Sequence, residues 1–156
     1  MAPNCFTDNF TLSVKTPPRM GLKQLTATLH EKRELITKKI NALAGREETR
    51  LRIELAQTWR KINNKVIEWN EDWLNLDLHY MSVGGAMWFT KEAIRRAESS
   101  GAEEMTIITG VGNNSKDNIP LIQQEVIKHL TNAGYDWEYE KIGKKVNKGK
   151  IKVYLI

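Results

Sequence analysis

The sequence predicts an α/β protein, a two-layer βαβαββ sandwich preceded by an α-helical hairpin. Three observations carry that reading. Apolar residues recur at a 3.6-residue period in two long stretches before residue 70. From Trp73 onward, short strand-like runs alternate with helical patterns, the spacing that parallel strands with helical crossovers require. The last part of the chain alternates apolar and polar side chains on both sides of a turn signal, as a β-hairpin does.

Residues 1–19 read as a flexible tail, because Pro3, Pro17 and Pro18 stand among several Thr, Ser and Asn residues. From Met20 to about Leu43, the residues Leu22, Leu25, Leu29, Ile36, Ile40 and Leu43 keep to one helical face. Gly45 is a suitable stop. A second helix is predicted from about Glu47 to Asn70, with Leu51, Leu55, Ile62, Val66 and Trp69 as its stripe. Together these form a helical hairpin over residues 20–72, ahead of a domain at 73–156. His30 reads there as an ordinary surface or core residue, as does His129 further on.

The first strand is predicted at roughly 73–79, with Leu74, Leu76 and Leu78 on one face and Asn75, Asp77 and His79 on the other. Ser82 is a natural N-cap for a helix over about 83–100. Its inner line reads Val83, Met87, Ile94 and Ala97, while Gly84 and Gly85 weaken its first turn by roughly 1 kcal/mol each relative to Ala. Met105 to Thr109 form the second strand. A helix follows, with Asn118 as cap and Pro120 in its first turn. Ile119, Ile122, Val126, Leu130 and Ala133 line its inner side, and Gly134 stops it. Trp137 and Tyr139 alternate with Glu138 and Glu140 in the third strand. Asn147-Lys148-Gly149 is read as the hairpin turn before Ile151, Val153 and Leu155.

Composition bounds the function classes. A chain of 156 residues, 40% hydrophobic and 28% charged, can bury a substantial core. No run of 18 apolar residues exists, and the first twenty residues lack an apolar signal core. With Cys5 as its single cysteine the chain fits a reducing compartment, cytoplasmic or nuclear. A net charge of +5 permits a polyanionic partner without requiring one. The charge is uneven: residues 23–65 hold eleven Lys and Arg against five Glu, and residues 141–152 hold six lysines and no acid. Either set suits a solvated surface or contact with a phosphate backbone.

Two stretches carry chemistry. Leu76-Asp77-Leu78-His79 would place a carboxylate and an imidazole on one strand face, with stems about 7 Å apart. Such a pair serves as a general base or acid with an orienting carboxylate. It also supplies two ligands to a divalent ion, fewer than a tight site needs. An Asp-x-His pair arises equally where the aspartate caps a turn and the histidine fills space. The second stretch is Thr109-Gly110-Val111-Gly112-Asn113-Asn114-Ser115-Lys116. Glycines between a strand and a helix let backbone amides approach an oxyanion, and they also make plain tight turns. The spacing is neither that of a Walker loop nor that of a dinucleotide fingerprint. Both stretches lie at carboxyl ends of strands, where open α/β sheets bind ligands.

These two motifs, at this separation and with this order of elements, resemble the small MutS-related (Smr) domain over about residues 74–156. The hairpin before it is similar to the helical extension found in eukaryotic members. The resemblance implies nuclease or nucleic-acid-binding activity and a fold like the C-terminal domain of bacterial translation initiation factor three. It implies a catalytic role for Asp77 and His79, and substrate contact or loop shape for Thr109, Gly110 and Gly112. Asn113, Asn114, Lys116, Tyr80, Lys144 and Lys145 join the expected substrate contacts. The chain departs from the family twice: Tyr80 replaces a Gly after the motif histidine, and Asn114 replaces a His in eukaryotic members. Tyr80 would obstruct a phosphate or offer a stacking face.

The expected function is therefore an endonuclease that prefers RNA to DNA. The alternative is a non-catalytic nucleic-acid-binding module acting on ribosomes or repair complexes. No cofactor is required by the sequence, a magnesium or manganese ion is compatible with it, and the chain is expected to work as a monomer without a membrane.

Overall fold

A computed structural model describes residues 20–42, 46–111 and 120–156. Eight elements follow one another in it. Helix α1 spans Leu22–Ala42, α2 Arg46–Trp69, strand β1 Asn75–Asp77, α3 Val83–Ser99, β2 Glu104–Ile108, α4 Leu121–Asn132, β3 Asp136–Ile142 and β4 Lys145–Tyr154. The expected βαβαββ order with a leading hairpin is the one found. Leu43, Gly45, Asn118 and Ile119 lie outside the described residues. Among the described residues, no helix is long and apolar enough to cross a membrane.

The sheet order is β1-β2-β4-β3. β1 and β2 are parallel, Leu76 opposite Ile107, which places their carboxyl ends on one rim. β4 runs antiparallel to both β2 and β3. Met105, Ile107, Ile151 and Val153 turn to one face and are buried there with Leu76 and Leu78. Alternation along each strand demands this, since the period is two. Phe89, Ala93 and Ala97 of α3 and Val126 and Leu130 of α4 cover that face. Fully burying a side chain such as Phe89 contributes roughly 1.5–3 kcal/mol, and its ring also meets Trp73 edge-on at 4.9 Å.

The same core takes in Leu22 of α1 and Val66 of α2. The far end of the hairpin has its own small cluster of Ile36, Ile40 and Leu51, with Leu55 packed against it. The predicted stripes hold, with Thr26 and Thr58 added to them; each hydroxyl donates to the carbonyl four residues earlier. Part of the basic charge is neutralised inside the hairpin, by Arg52–Glu48 at 2.7 Å and Lys32–Glu54 at 3.7 Å.

Four expectations need correction. β1 is three residues long rather than seven, and Leu74 is 43% exposed, so the leucine face begins at Leu76. The inner face of α3 runs through Ala86, Phe89, Thr90 and Ala93, whereas Val83 and Met87 are only half-buried. Residues 147–149 are not the hairpin turn. The turn is Gly143-Lys144, with Gly143 at φ 63°. Asn147-Lys148-Gly149 instead form a bulge within β4: Tyr139 pairs with Ile151, but Glu140 pairs with Asn147. Fourth, Pro120 sits at the cap position of α4 and not inside its first turn.

Candidate active site

The rim after β1 is set by a single carboxylate. Asp77 closes the strand, and its Oδ1 accepts the His79 backbone N–H at 3.0 Å, an Asx-turn that ends the extended run. The same oxygen accepts from His79 Nδ1 at 2.8 Å. The two side chains therefore do not stand apart on one strand face. His79 lies beyond the strand and folds back onto Asp77. Nδ1 is the donor in that contact, which leaves Nε2 as the nitrogen available for proton exchange. The hydrogen bond that Nδ1 donates to the Asp77 carboxylate raises the imidazole pKa above its usual value, against the opposing effect of burial.

Tyr80 follows in a left-handed conformation, φ 69°. That region favours glycine, so the glycine expected at this position in the family has a backbone reason. The Tyr80 ring tilts toward His79, with centroids 5.8 Å apart. Its carbonyl accepts from His30 Nε2 at 3.0 Å, and His30 Nδ1 accepts from Arg33 Nε at 3.1 Å. Those partners fix His30 as the neutral Nε2–H tautomer, and burial holds its pKa below the usual value. His30 is thus a structural contact of the site, not an ordinary surface or core residue.

Asn70 was invisible as a site residue. It lies between α2 and β1, yet its amide grips both backbone groups of Asp77. Oδ1 accepts the Asp77 N–H at 2.8 Å, and Nδ2 donates to the Asp77 carbonyl at 3.0 Å. β1 is an edge strand, so Asn70 takes the place that a neighbouring strand would occupy. Asn63 of α2 adds a third contact. It accepts the Ser82 N–H at 3.0 Å and donates to Ser82 Oγ at 2.9 Å, while Ser82 Oγ caps α3 by accepting from Gly85 N. Gly85 is required for this, because a Cβ there would lie 2.3 Å from Asn63 Nδ2.

The rim after β2 is built differently. The N–H groups of Thr109 and Gly110 both donate to the Gly149 carbonyl, at 2.9 and 3.1 Å. They are spent inside the protein and cannot cradle an oxyanion. Thr109 is buried, and its hydroxyl donates to the Gly110 carbonyl. Gly110 has φ 75°, and a Cβ there would stand 2.6 Å from His79 Nε2. The glycine makes room for the imidazole. The β4 bulge is what reaches this loop: a Cβ on Gly149 would meet Val111 at 3.1 Å and the Gly110 backbone at 3.2 Å. Gln123 of α4 holds the bulge by donating to the Lys148 carbonyl.

The structure thus brings Asp77, His79, Tyr80 and Gly110 together. Lys144 and Lys145 sit at the end of the β3–β4 ribbon, which continues past the end of β2 toward the same side. Gly112, Asn113, Asn114 and Lys116 lie outside the described residues. As to a metal, no group of three His, Cys, Asp or Glu side chains stands at ligand spacing among the described residues. Asp77 and His79 already bind each other, so the pair does not fit a closed metal cage.

A family model described as Smr domain matches residues 76–155. The chain belongs to the Smr family. That family has nuclease and nucleic-acid-binding roles. Two solved Smr domains resemble the structure. One is the solution structure of the SMR domain of NEDD4-binding protein 2, at 24% identity and TM-score 0.43, covering 56% of this chain and 90% of that one. The other is the solution structure of the B3BP Smr domain, at 24% identity and TM-score 0.40, covering 65% of this chain and 91% of that one. None of the curated proteins compared with the chain matches it.

Proposed function

We propose that this Smr protein is an endonuclease that prefers RNA to DNA. The observation supporting it most is the state of His79: Nδ1 is locked to Asp77 at 2.8 Å and Nε2 faces the rim over Gly110. A carboxylate that fixes the tautomer and stabilises the imidazolium is what a general base needs. On RNA, neutral His79 Nε2 takes the proton from a ribose 2′-hydroxyl as its oxygen attacks the adjacent phosphorus. The bond from phosphorus to the 5′-oxygen breaks, and that oxygen takes a proton from solvent. The products are a cyclic phosphate and a 5′-hydroxyl. On DNA, water would replace the 2′-hydroxyl as nucleophile.

Phosphate contact falls to the loop beyond Gly110, from Gly112, Asn113, Asn114 and Lys116, because the first two loop amides are already bonded. Lys144 and Lys145 hold flanking backbone, and Tyr80 offers its ring to a base beside the scissile bond. The pH dependence has a definite sign. A base must be neutral, so cleavage rises as pH passes the raised pKa of His79. Asp77→Asn removes the charge that raises it, and shifts that limb to lower pH while reducing the plateau.

The direct test is cleavage of labelled single-stranded and structured RNA by wild type and by His79→Ala. A loss of roughly 10²–10⁴-fold is expected for a missing general base. Equal cleavage by both would sink this assignment. A second reading, binding without turnover, draws on Asn114, which stands where eukaryotic members carry a histidine. It predicts salt-dependent RNA affinity with no product over hours.

A further inference from the structure

A groove of about 710 Å³ runs between α2 and the start of α3, lined by Trp59, Arg60, Asn64, Ile67 and Trp88 among others. We propose that it takes an unpaired nucleobase of the same strand whose phosphate lies at His79. This rests on the nucleic-acid reading and names where the strand goes next.

Several observations converge on that occupant. Trp59, Ile67 and Trp88 give the groove apolar walls, and the Trp88 ring is 57% exposed there. Every base has a π-face, so an open indole is a stacking platform that tolerates any sequence. Among the described residues, the only charged one lining the groove is Arg60, and no acid lines it. A polyanionic strand can enter such a groove without repulsion, whereas an acidic ligand without rings would make no use of the indoles. Asn64 adds an amide able to meet a base edge.

The groove also adjoins the candidate active site through the backbone that follows Tyr80. Ser82 and Gly85 belong both to its lining and to the segment that follows Tyr80. Between His79 and the groove stands an unbroken series of rings: His79 to Tyr80 at 5.8 Å, Tyr80 to His30 at 6.3 Å, and His30 to Trp59 at 5.5 Å. Arg33 lies over the Trp59 ring at 4.9 Å, which puts a cation beside this path. Finally, the groove is pre-formed. The paired Asn63–Ser82 hydrogen bonds fix the two helices to one another at its floor, so little ordering is needed on binding.

The test is titration of the full chain with a fluorescein-labelled single-stranded oligoribonucleotide of mixed sequence, with the same oligomer carrying abasic riboses, and with an RNA duplex of equal length. His79→Ala serves as the background, to prevent turnover. Trp88→Ala added to it should weaken single-strand binding about ten-fold, in the range of one lost stacking contact. It should leave duplex and abasic affinities unchanged. Arg60→Gln should weaken all three ligands modestly and reduce the salt dependence. Unchanged single-strand affinity in the Trp88 variant overturns the groove proposal while the nucleic-acid reading stands. If the parent protein binds none of the three ligands at low salt, both fall. Binding of apolar peptides in the groove, with no competition by the oligomer, would identify it as a protein-docking face and also overturn the proposal.

Discussion

The two rims that meet at the candidate site are held by opposite means. The loop after β2 is held from within the sheet: β2 is flanked on both sides, and the β4 bulge supplies the Gly149 carbonyl that takes two of its amides. The segment after β1 is held from outside. β1 has three residues and a free edge, so Asn70, His30 and Asn63 of the hairpin region supply the bonds that a longer strand and another neighbour would have made. The hairpin is therefore not merely an arm placed before the site. It fixes the backbone of Asp77, Tyr80 and Ser82. An edge strand leaves half its polar groups unpaired, and burying them without partners costs free energy.

Gly110→Ala attacks the point where the rims touch and should have the largest effect. A methyl group must displace His79, and the positive φ adds strain. A misplacement of about 1 Å can cost roughly 10²-fold in rate. Single-turnover cleavage with retained circular dichroism measures this; an active, well-folded alanine variant would show that His79 does not need its present position.

Asn70→Ala separates the two rims. It leaves the Asp77 N–H and carbonyl without their partner and should destabilise the protein by about 1–3 kcal/mol. The melting temperature should fall with cleavage reduced alongside, because the Asn70 amide is engaged with the Asp77 backbone. If chemical denaturation finds no loss, the hairpin does not support this edge.

The two adjacent glycines of α3 sharpen the point. Gly85→Ala forces Asn63 away from Ser82 and should cost about 1–3 kcal/mol. A Cβ at Gly84 would have nothing within 4 Å, and its φ is not positive, so Gly84→Ala should stabilise by about 0.5–1 kcal/mol. Urea midpoints that move the same way for both would break the assignment of Gly85 to the hairpin contact.

The smallest effect is in pH dependence. His30 has a lowered pKa in the folded protein, so its contribution is present above the unfolded value and is lost as pH falls through the folded value. His79 is raised, so its contribution has the opposite slope. Comparing urea midpoints of wild type and His30→Ala at about pH 7 and about pH 5, on either side of the ordinary histidine range, isolates the His30 contribution: the difference between them should shrink on acidification.

Much of the fold was legible. Ser82 as cap, the apolar helical stripes and the period-two run from Ile151 are local signals, and local signals survive packing. The motif residues Asp77, His79 and Gly110 were legible as candidates because of their order and spacing. The length of β1 was not. Leu74, Leu76 and Leu78 alternate as a strand would, but Asp77 accepts the His79 amide and ends the pairing there. Asn147-Lys148-Gly149 has the composition of a turn. The chain uses it as a bulge, which brings residue 149 so close to Gly110 and Val111 that a Cβ there would be crowded. Asn70 gave no signal beyond being a polar residue in a connection.

By itself the sequence determined the order of elements, their faces and the candidate pair, because periodicity and capping act over a few residues. Tertiary structure decided which atoms of that pair are free. The single Asp77 oxygen binds both the His79 amide and its Nδ1, the first loop amides turn away to Gly149, and residues from a distant helical hairpin hold the edge in place. The Asp77–His79 bonds are local, but the loop's bonds to Gly149 and the His30 bond to the Tyr80 carbonyl join parts far apart in the chain, and those groups acquire partners only once the sheet and the hairpin have come together.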